Sequence, residues 1–140
     1  MGLSDYDIAS TLATSVSQRL VRRICPDCKR EREFTQEEKD IITKIAEKYG
    51  EKIDFTNKKT YDAVGCEKCN NIGYYGRTGI FETLDITEDI KELIVKGAST
   101  LEIRNKALEQ NYKPLVMDGI KKVLNGSTTL DELNRQLILY

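Results

Sequence analysis

Cys25-Pro26-Asp27-Cys28 and Cys66-Glu67-Lys68-Cys69 hold all four cysteines of this chain, with 37 residues between the two pairs. Within each pair, two intervening residues let both sulfurs turn towards one point while backbone N–H groups of the turn face them. Two such knuckles supply four thiolates, the donor set that tetrahedral Zn²⁺ prefers. Cys25, Cys28, Cys66 and Cys69 are therefore the candidate metal ligands. With four sulfurs and no position left for water, such a site is closed and holds a fold together rather than doing chemistry. The stretch between the knuckles is long enough to carry structure of its own.

Other readings of the cysteines fit less well. Unpaired core cysteines do not normally fall into two CxxC pairs. A disulfide framework belongs to secreted chains, and nothing here resembles a signal peptide in a sequence that is 32% charged. A thioredoxin-type pair opens a helix within a strand–helix–strand unit, whereas these two pairs sit in knuckle-like loops. Arg22, Arg23, Lys29, Arg30, Lys68 and Arg77 flank the knuckles. They either offset the charge of about −2 on a tetrathiolate zinc centre or form ordinary solvated surface.

The 140 residues suit one domain or two small ones, and 39% hydrophobic content allows a modest core. Twenty-two basic side chains against 23 acidic ones leave a net charge of −1, poor material for a general nucleic-acid or membrane-surface binder. No apolar run approaches the roughly 18 residues of a bilayer span. The chain has no histidine, which removes the commonest general base and every His-based metal site.

Taken in order, residues 4–15 read as a short helix with Ser4 and Asp7 as a capping box and Ile8, Leu12 and Val16 four apart. Residues 18–24 read as extended. Thr35 and Glu38 cap an amphipathic helix carrying Ile41, Ile42, Ile45 and Tyr49, which Gly50 ends. Ile53 and Phe55 hint at a short strand. Gly73, Gly76 and Gly79 predict tight turns with positive φ beside the metal, and residues 80–84 a strand. Caps at Thr87, Ser99 and Thr129, and Pro114 in a first turn, predict four short helices over 87–140 that pack as a compact bundle. Its expected core is Leu93, Ile94, Leu108, Ile120, Val123, Leu124, Leu133 and Leu137. The fold class is α+β: a small tetracysteine zinc-binding subdomain with short strands and an inserted helix, followed by the helical bundle.

Three stretches carry a resemblance. Gln18-Arg19-Leu20-Val21-Arg22-Arg23 running into Cys25-Pro26-Asp27-Cys28 resembles the segment after the ATPase core of type II secretion and type IV pilus assembly ATPases. Gly65-Cys66-Glu67-Lys68-Cys69 with Gly73-Tyr74-Tyr75-Gly76-Arg77-Thr78-Gly79-Ile80-Phe81-Glu82 is similar to that family's second knuckle and following strand. Gly126-Ser127-Thr128-Thr129-Leu130-Asp131-Glu132-Leu133 resembles its C-terminal signature, and even Met1-Gly2-Leu3 resembles an internal segment. The family's P-loop is missing, since no Gly-Lys-Ser or Gly-Lys-Thr triplet occurs.

The resemblance thus implies a C-terminal region without the catalytic core. Residues 1–22 would be the tail of the RecA-like core, 23–80 the tetracysteine subdomain and 81–140 the helical end. It further implies a structural, force-transmitting role with no catalytic residues, structural Zn²⁺, and ATP and Mg²⁺ only in the longer protein. The implied partners are the upstream core, neighbouring subunits of a hexamer and an inner-membrane platform protein, at a cytoplasmic site peripheral to that membrane. The competing function is a zinc-ribbon nucleic-acid binder using Arg19, Arg22, Arg23, Lys29, Arg30 and Arg32. Asp27, Glu31 and Glu33 interrupt that cluster, and no nucleic acid is expected.

Overall fold

The structure, a computed structural model, describes residues 2–139. It is mixed α+β, with helices α1 (Asp5–Thr11), α2 (Gln36–Lys48), α3 (Glu88–Val95), α4 (Thr100–Glu109), α5 (Leu115–Leu124) and α6 (Leu130–Leu137). Strands β1 (Thr14–Ile24) and β4 (Tyr74–Asp85) pair in one two-stranded sheet, and β2 (Arg30–Arg32) and β3 (Thr60–Asp62) in another. The second is antiparallel, with Arg30 opposite Asp62 and Arg32 opposite Thr60.

The helix starts follow from their caps. Ser4, Thr35 and Ser99 each accept the N–H three residues on, and Asp7, Glu38 and Glu102 reach back to the cap N–H. These reciprocal bonds occupy orphan donors of the first turn. Thr87 and Thr129 cap α3 and α6 with the hydroxyl alone. Helix ends take positive φ at Gly50, Gly97 and Gly126, and at Asn111. Asparagine tolerates that conformation better than other side chains with a Cβ.

The chain divides into two compact units. The first comprises the residues up to Ser17 with Glu82–Pro114, and the second Gln18–Phe81 with the residues from Leu115 onwards. In the first, α3 packs on α1 and α4. Ile86, Ile90 and Ala107 are its buried centre, with Leu84, Ile94, Ile103 and Tyr112 against them. In the second, α5 packs on α6 and α2. Its core joins Val21, Phe34, Ile42, Ala46, Ile80, Met117, Ile120, Val123, Leu130 and Leu133.

The expected four-helix bundle is therefore corrected. The helices from Glu88 onwards form, but α3 and α4 serve one core while α5 and α6 serve the other. Short connections predict neighbours, yet α4 and α5 belong to different units because each apolar face finds a better partner elsewhere. Of the expected core residues, Ile120, Val123 and Leu133 are fully buried, whereas Leu93, Ile94, Leu108, Leu124 and Leu137 are half-buried. The first helix stops at Thr11, and Val16 lies in β1 at 61% exposure. No strand forms at Ile53 and Phe55. Instead Phe55 meets Phe34 edge-on, 5.5 Å between ring centroids.

The first unit's core is small, so a single methyl should be felt there. Ile90→Val is expected to cost about 0.5–1.5 kcal/mol and to raise hydrogen-exchange rates in α1, α3 and α4. Unchanged exchange in those helices would remove Ile90 from the centre of that core.

Candidate metal centre

The four cysteines come together as the spacing predicts. Their sulfurs all lie within 4.8 Å of one another. Sγ–Sγ distances are 3.8 Å for Cys25–Cys66, 3.8 Å for Cys28–Cys69 and 3.7 Å for Cys66–Cys69. A tetrahedral ion with Zn–S bonds of about 2.3 Å needs sulfurs roughly 3.8 Å apart. A disulfide would bring a pair to about 2.05 Å. The spacing suits a shared cation, and the two knuckles alternate around it.

Local backbone geometry explains why this sequence makes the cradle. A 3₁₀ turn over Glu67–Cys69 ends in Asn70 and Asn71, both with positive φ. The turn aims the Cys66 N–H at Cys69 Sγ, 3.2 Å away. The Gly73 N–H donates to the same sulfur at 3.3 Å, and the Gly65 N–H donates to Cys28 Sγ at 3.3 Å. The Gly73 carbonyl in turn accepts from the Cys25 N–H at 3.0 Å, tying the two knuckles together. Both glycines are required. They sit at φ +108 and +85, and a Cβ would come within 2.8 Å of the Asn71 carbonyl oxygen or 2.7 Å of the Ala63 backbone.

Without a cation, four adjacent sulfurs cannot all ionise. Burial pushes the Cys28 thiol up to about 12 despite the Gly65 N–H. Burial also acts to raise Cys69, but the N–H groups of Cys66 and Gly73 outweigh it and bring that thiol down to about 6. Cys25 and Cys69 are buried, and Cys28 and Cys66 are partly exposed. Two of the four sulfurs are buried, Cys28 and Cys69 accept backbone N–H groups, and the set has the right chemistry for a thiophilic ion.

Several of the flanking cations have partners other than the sulfurs, although Lys68 also feels the charge of Cys25. Lys68 pairs with Asp27 at 3.1 Å, Arg30 with Asp62 at 2.7 Å, and the Lys29 ammonium lies 4.4 Å from the Tyr61 ring centroid. Arg22 does something sequence reading missed. Its backbone N–H and Nε donate to the Glu132 carboxylate at 3.0 and 2.9 Å, and its guanidinium stacks on Tyr74 at 4.3 Å. Glu132 is 1% exposed and also accepts from Arg135 at 3.0 and 3.2 Å and from Gln136 at 3.3 Å. Thr128 donates to the Arg22 carbonyl at 2.8 Å, the Ser127 carbonyl accepts from the Ile24 N–H at 3.0 Å, and the Thr129 and Tyr74 hydroxyls are 2.7 Å apart. Residues 127–132 therefore clasp the end of β1 at Arg22 and Ile24, directly before Cys25. The sequence signals there were a capping threonine ahead of a glutamate and the resemblance of residues 126–133 to a family signature, and neither reports the pairing with Arg22.

The chain as a whole is similar to known proteins. A family model described as "Type II/IV secretion system protein" matches residues 1–135. The chain is 36% identical over 134 residues to the type IV pilus assembly ATPase PilB of Myxococcus xanthus, which covers 95% of this chain and 23% of that protein. It is 37% identical over 136 residues to type II secretion system protein E of Aeromonas hydrophila, covering 96% and 25%. Against PilB of Thermus thermophilus it is 35% identical over 133 residues, covering 95% and 14%. The chain spans a quarter or less of the length of these curated relatives. The ordered knuckles, the Gly-rich strand and the clasping turn all fall within the matched residues, and the chain belongs to the type II/IV secretion system protein family.

Proposed function

We propose that this chain is a zinc-pinned structural module of a pilus-assembly or secretion motor, transmitting motion rather than turning over nucleotide. The observation that carries the reading is the tetrahedral spacing of four sulfurs contributed by segments on either side of α2. Cys25, Cys28, Cys66 and Cys69 would hold Zn²⁺, whose bound charge keeps four thiolates ionised side by side. The protein's own part is to orient the sulfurs through Gly65, Cys66 and Gly73 and to join the centre to α6 through the Arg22–Glu132 clasp. Such a joint is stiff, and a compliant one would dissipate displacement.

One relative is named a type IV pilus assembly ATPase and another a type II secretion system protein, which supports an ATP-driven parent in a pilus or secretion machine; a hexamer acting on a membrane-seated platform is what the family resemblance adds to the proposal. Among the described residues no helix is long and apolar enough to cross a membrane. The parent would attach to that machine through a protein partner at the cytoplasmic face. The division at residues 22 and 80 is part of this proposal. It concerns correspondence with parts of the longer relatives, whereas the contact units above concern packing.

The purified chain is expected to show no ATP turnover above buffer, because convergent backbone N–H groups followed by a Lys-Ser/Thr step are absent from its sequence. Within the longer protein, Cys69→Ser should spare nucleotide binding while abolishing pilus or secretion output. Turnover by the chain itself, abolished by Arg19→Ala, would overturn the reading.

A further inference from the structure

A cleft of about 300 Å³ lies beside the first knuckle, lined by Arg23, Ile24, Pro26, Lys29, Tyr75 and the turn Asn125–Ser127. No acidic side chain lines it. Arg23 and Lys29 are exposed, and neither has a carboxylate partner among the described residues. The Lys29 ammonium lies over the Tyr61 ring, and Asp27 of the first knuckle pairs with Lys68. The N–H groups that reach the sulfurs of Cys28 and Cys69 come from the backbone of Gly65, Cys66 and Gly73, not from these cations. Tyr75, 53% exposed, and Pro26 give the cleft an apolar wall.

We propose that this cleft docks a short acidic segment of a protein partner, its carboxylates on Arg23 and Lys29 and an apolar side chain on Tyr75 and Pro26. The choice of a carboxylate over a phosphate follows from the turn. A phosphate site offers convergent free N–H groups, usually at a helix N-terminus. Here the turn follows the C-terminus of α5, and the N–H groups of Asn125, Gly126 and Ser127 already donate to Lys121, Val123 and Lys122 carbonyls. The negative end of the helix dipole opposes a dense polyanion, so singly charged groups held by side chains at the rim are what fits. Both cations line the cleft between the first knuckle and the clasped turn, so little backbone order has to be gained on binding. The choice of a protein as source rests on the proposed role in an assembly machine.

The test uses the zinc-loaded full chain and three probes followed by amide NMR: the capped peptide Glu-Glu-Leu-Glu-Glu-Leu, its Gln-for-Glu counterpart, and inorganic tripolyphosphate. The acidic peptide should shift Arg23, Lys29, Tyr75 and Ser127 saturably. The double variant R23E/K29E should weaken it at least about tenfold, and raising salt towards 0.5 M should weaken it several-fold by screening. Equal binding of the neutral peptide, stronger binding of tripolyphosphate at the same residues, or no local shift would each overturn the proposal. Zinc content is measured on the same samples. Intact zinc without peptide binding sinks this inference alone, while a chain that folds without zinc sinks the structural reading.

Discussion

Replacing Cys69 by serine is expected to strip the chain of zinc and loosen the whole knuckle region. Cys69 is buried, sits 3.7–3.8 Å from two other sulfurs and accepts from two backbone N–H groups. A hydroxyl is a poor ligand for this ion and too short to keep those contacts. Structural zinc contributes about 10–16 kcal/mol of apparent binding energy in small peptides, and that energy is coupled to folding. Losing one of four thiolates should therefore remove more stability than a small domain can spare. Metal analysis of reduced wild-type protein should give one zinc per chain, and Cys69→Ser far less. Chelation should lower the melting temperature of the wild type alone. A metal-free wild type that melts identically with and without chelator would refute the site.

The second large effect should come from Glu132→Gln. Burial acts to raise this carboxyl, but Arg135, Arg22 and Gln136 hold it well below the usual glutamate value of 4.5, down to about 2. A depressed folded-state value means the stabilisation is fully present above pH 4.5 and is lost as pH falls through to about 2. The shift corresponds to on the order of 3 kcal/mol at neutral pH. The amide keeps the shape and an acceptor for the Arg22 N–H but removes the charge, so the variant should be less stable at pH 7. The gap to wild type should then close on acidification below pH 4.5. The difference between the two proteins is the quantity to follow, since both carry the same acid-sensitive cysteines. Parallel denaturation curves across that window would show that charge is not what holds the clasp. Arg22→Ala should be at least as damaging, about 3–5 kcal/mol, because it leaves a buried carboxylate short of a partner.

Local chemistry was legible in the sequence wherever it depends on residues close together along the chain. The two knuckles followed from CxxC spacing, the helix starts from Ser or Thr with an acid three residues on, and the turns at Gly73 and Gly126 from the residue that tolerates positive φ. Family membership followed from the order of those motifs. What sequence could not supply was pairing at a distance. β1 and β4 are longer than their apolar patterns suggested, because strand length is set by the neighbour and not by propensity. Arg22 read equally well as a counter-charge for thiolates or as solvated edge, and only the approach of α6, 110 positions away, turned it towards Glu132. The division of the four later helices between two cores is of the same kind. Each helix's apolar face is written in its own residues, but which core that face joins depends on the other surfaces competing for it, and that competition is settled only when the whole chain has folded.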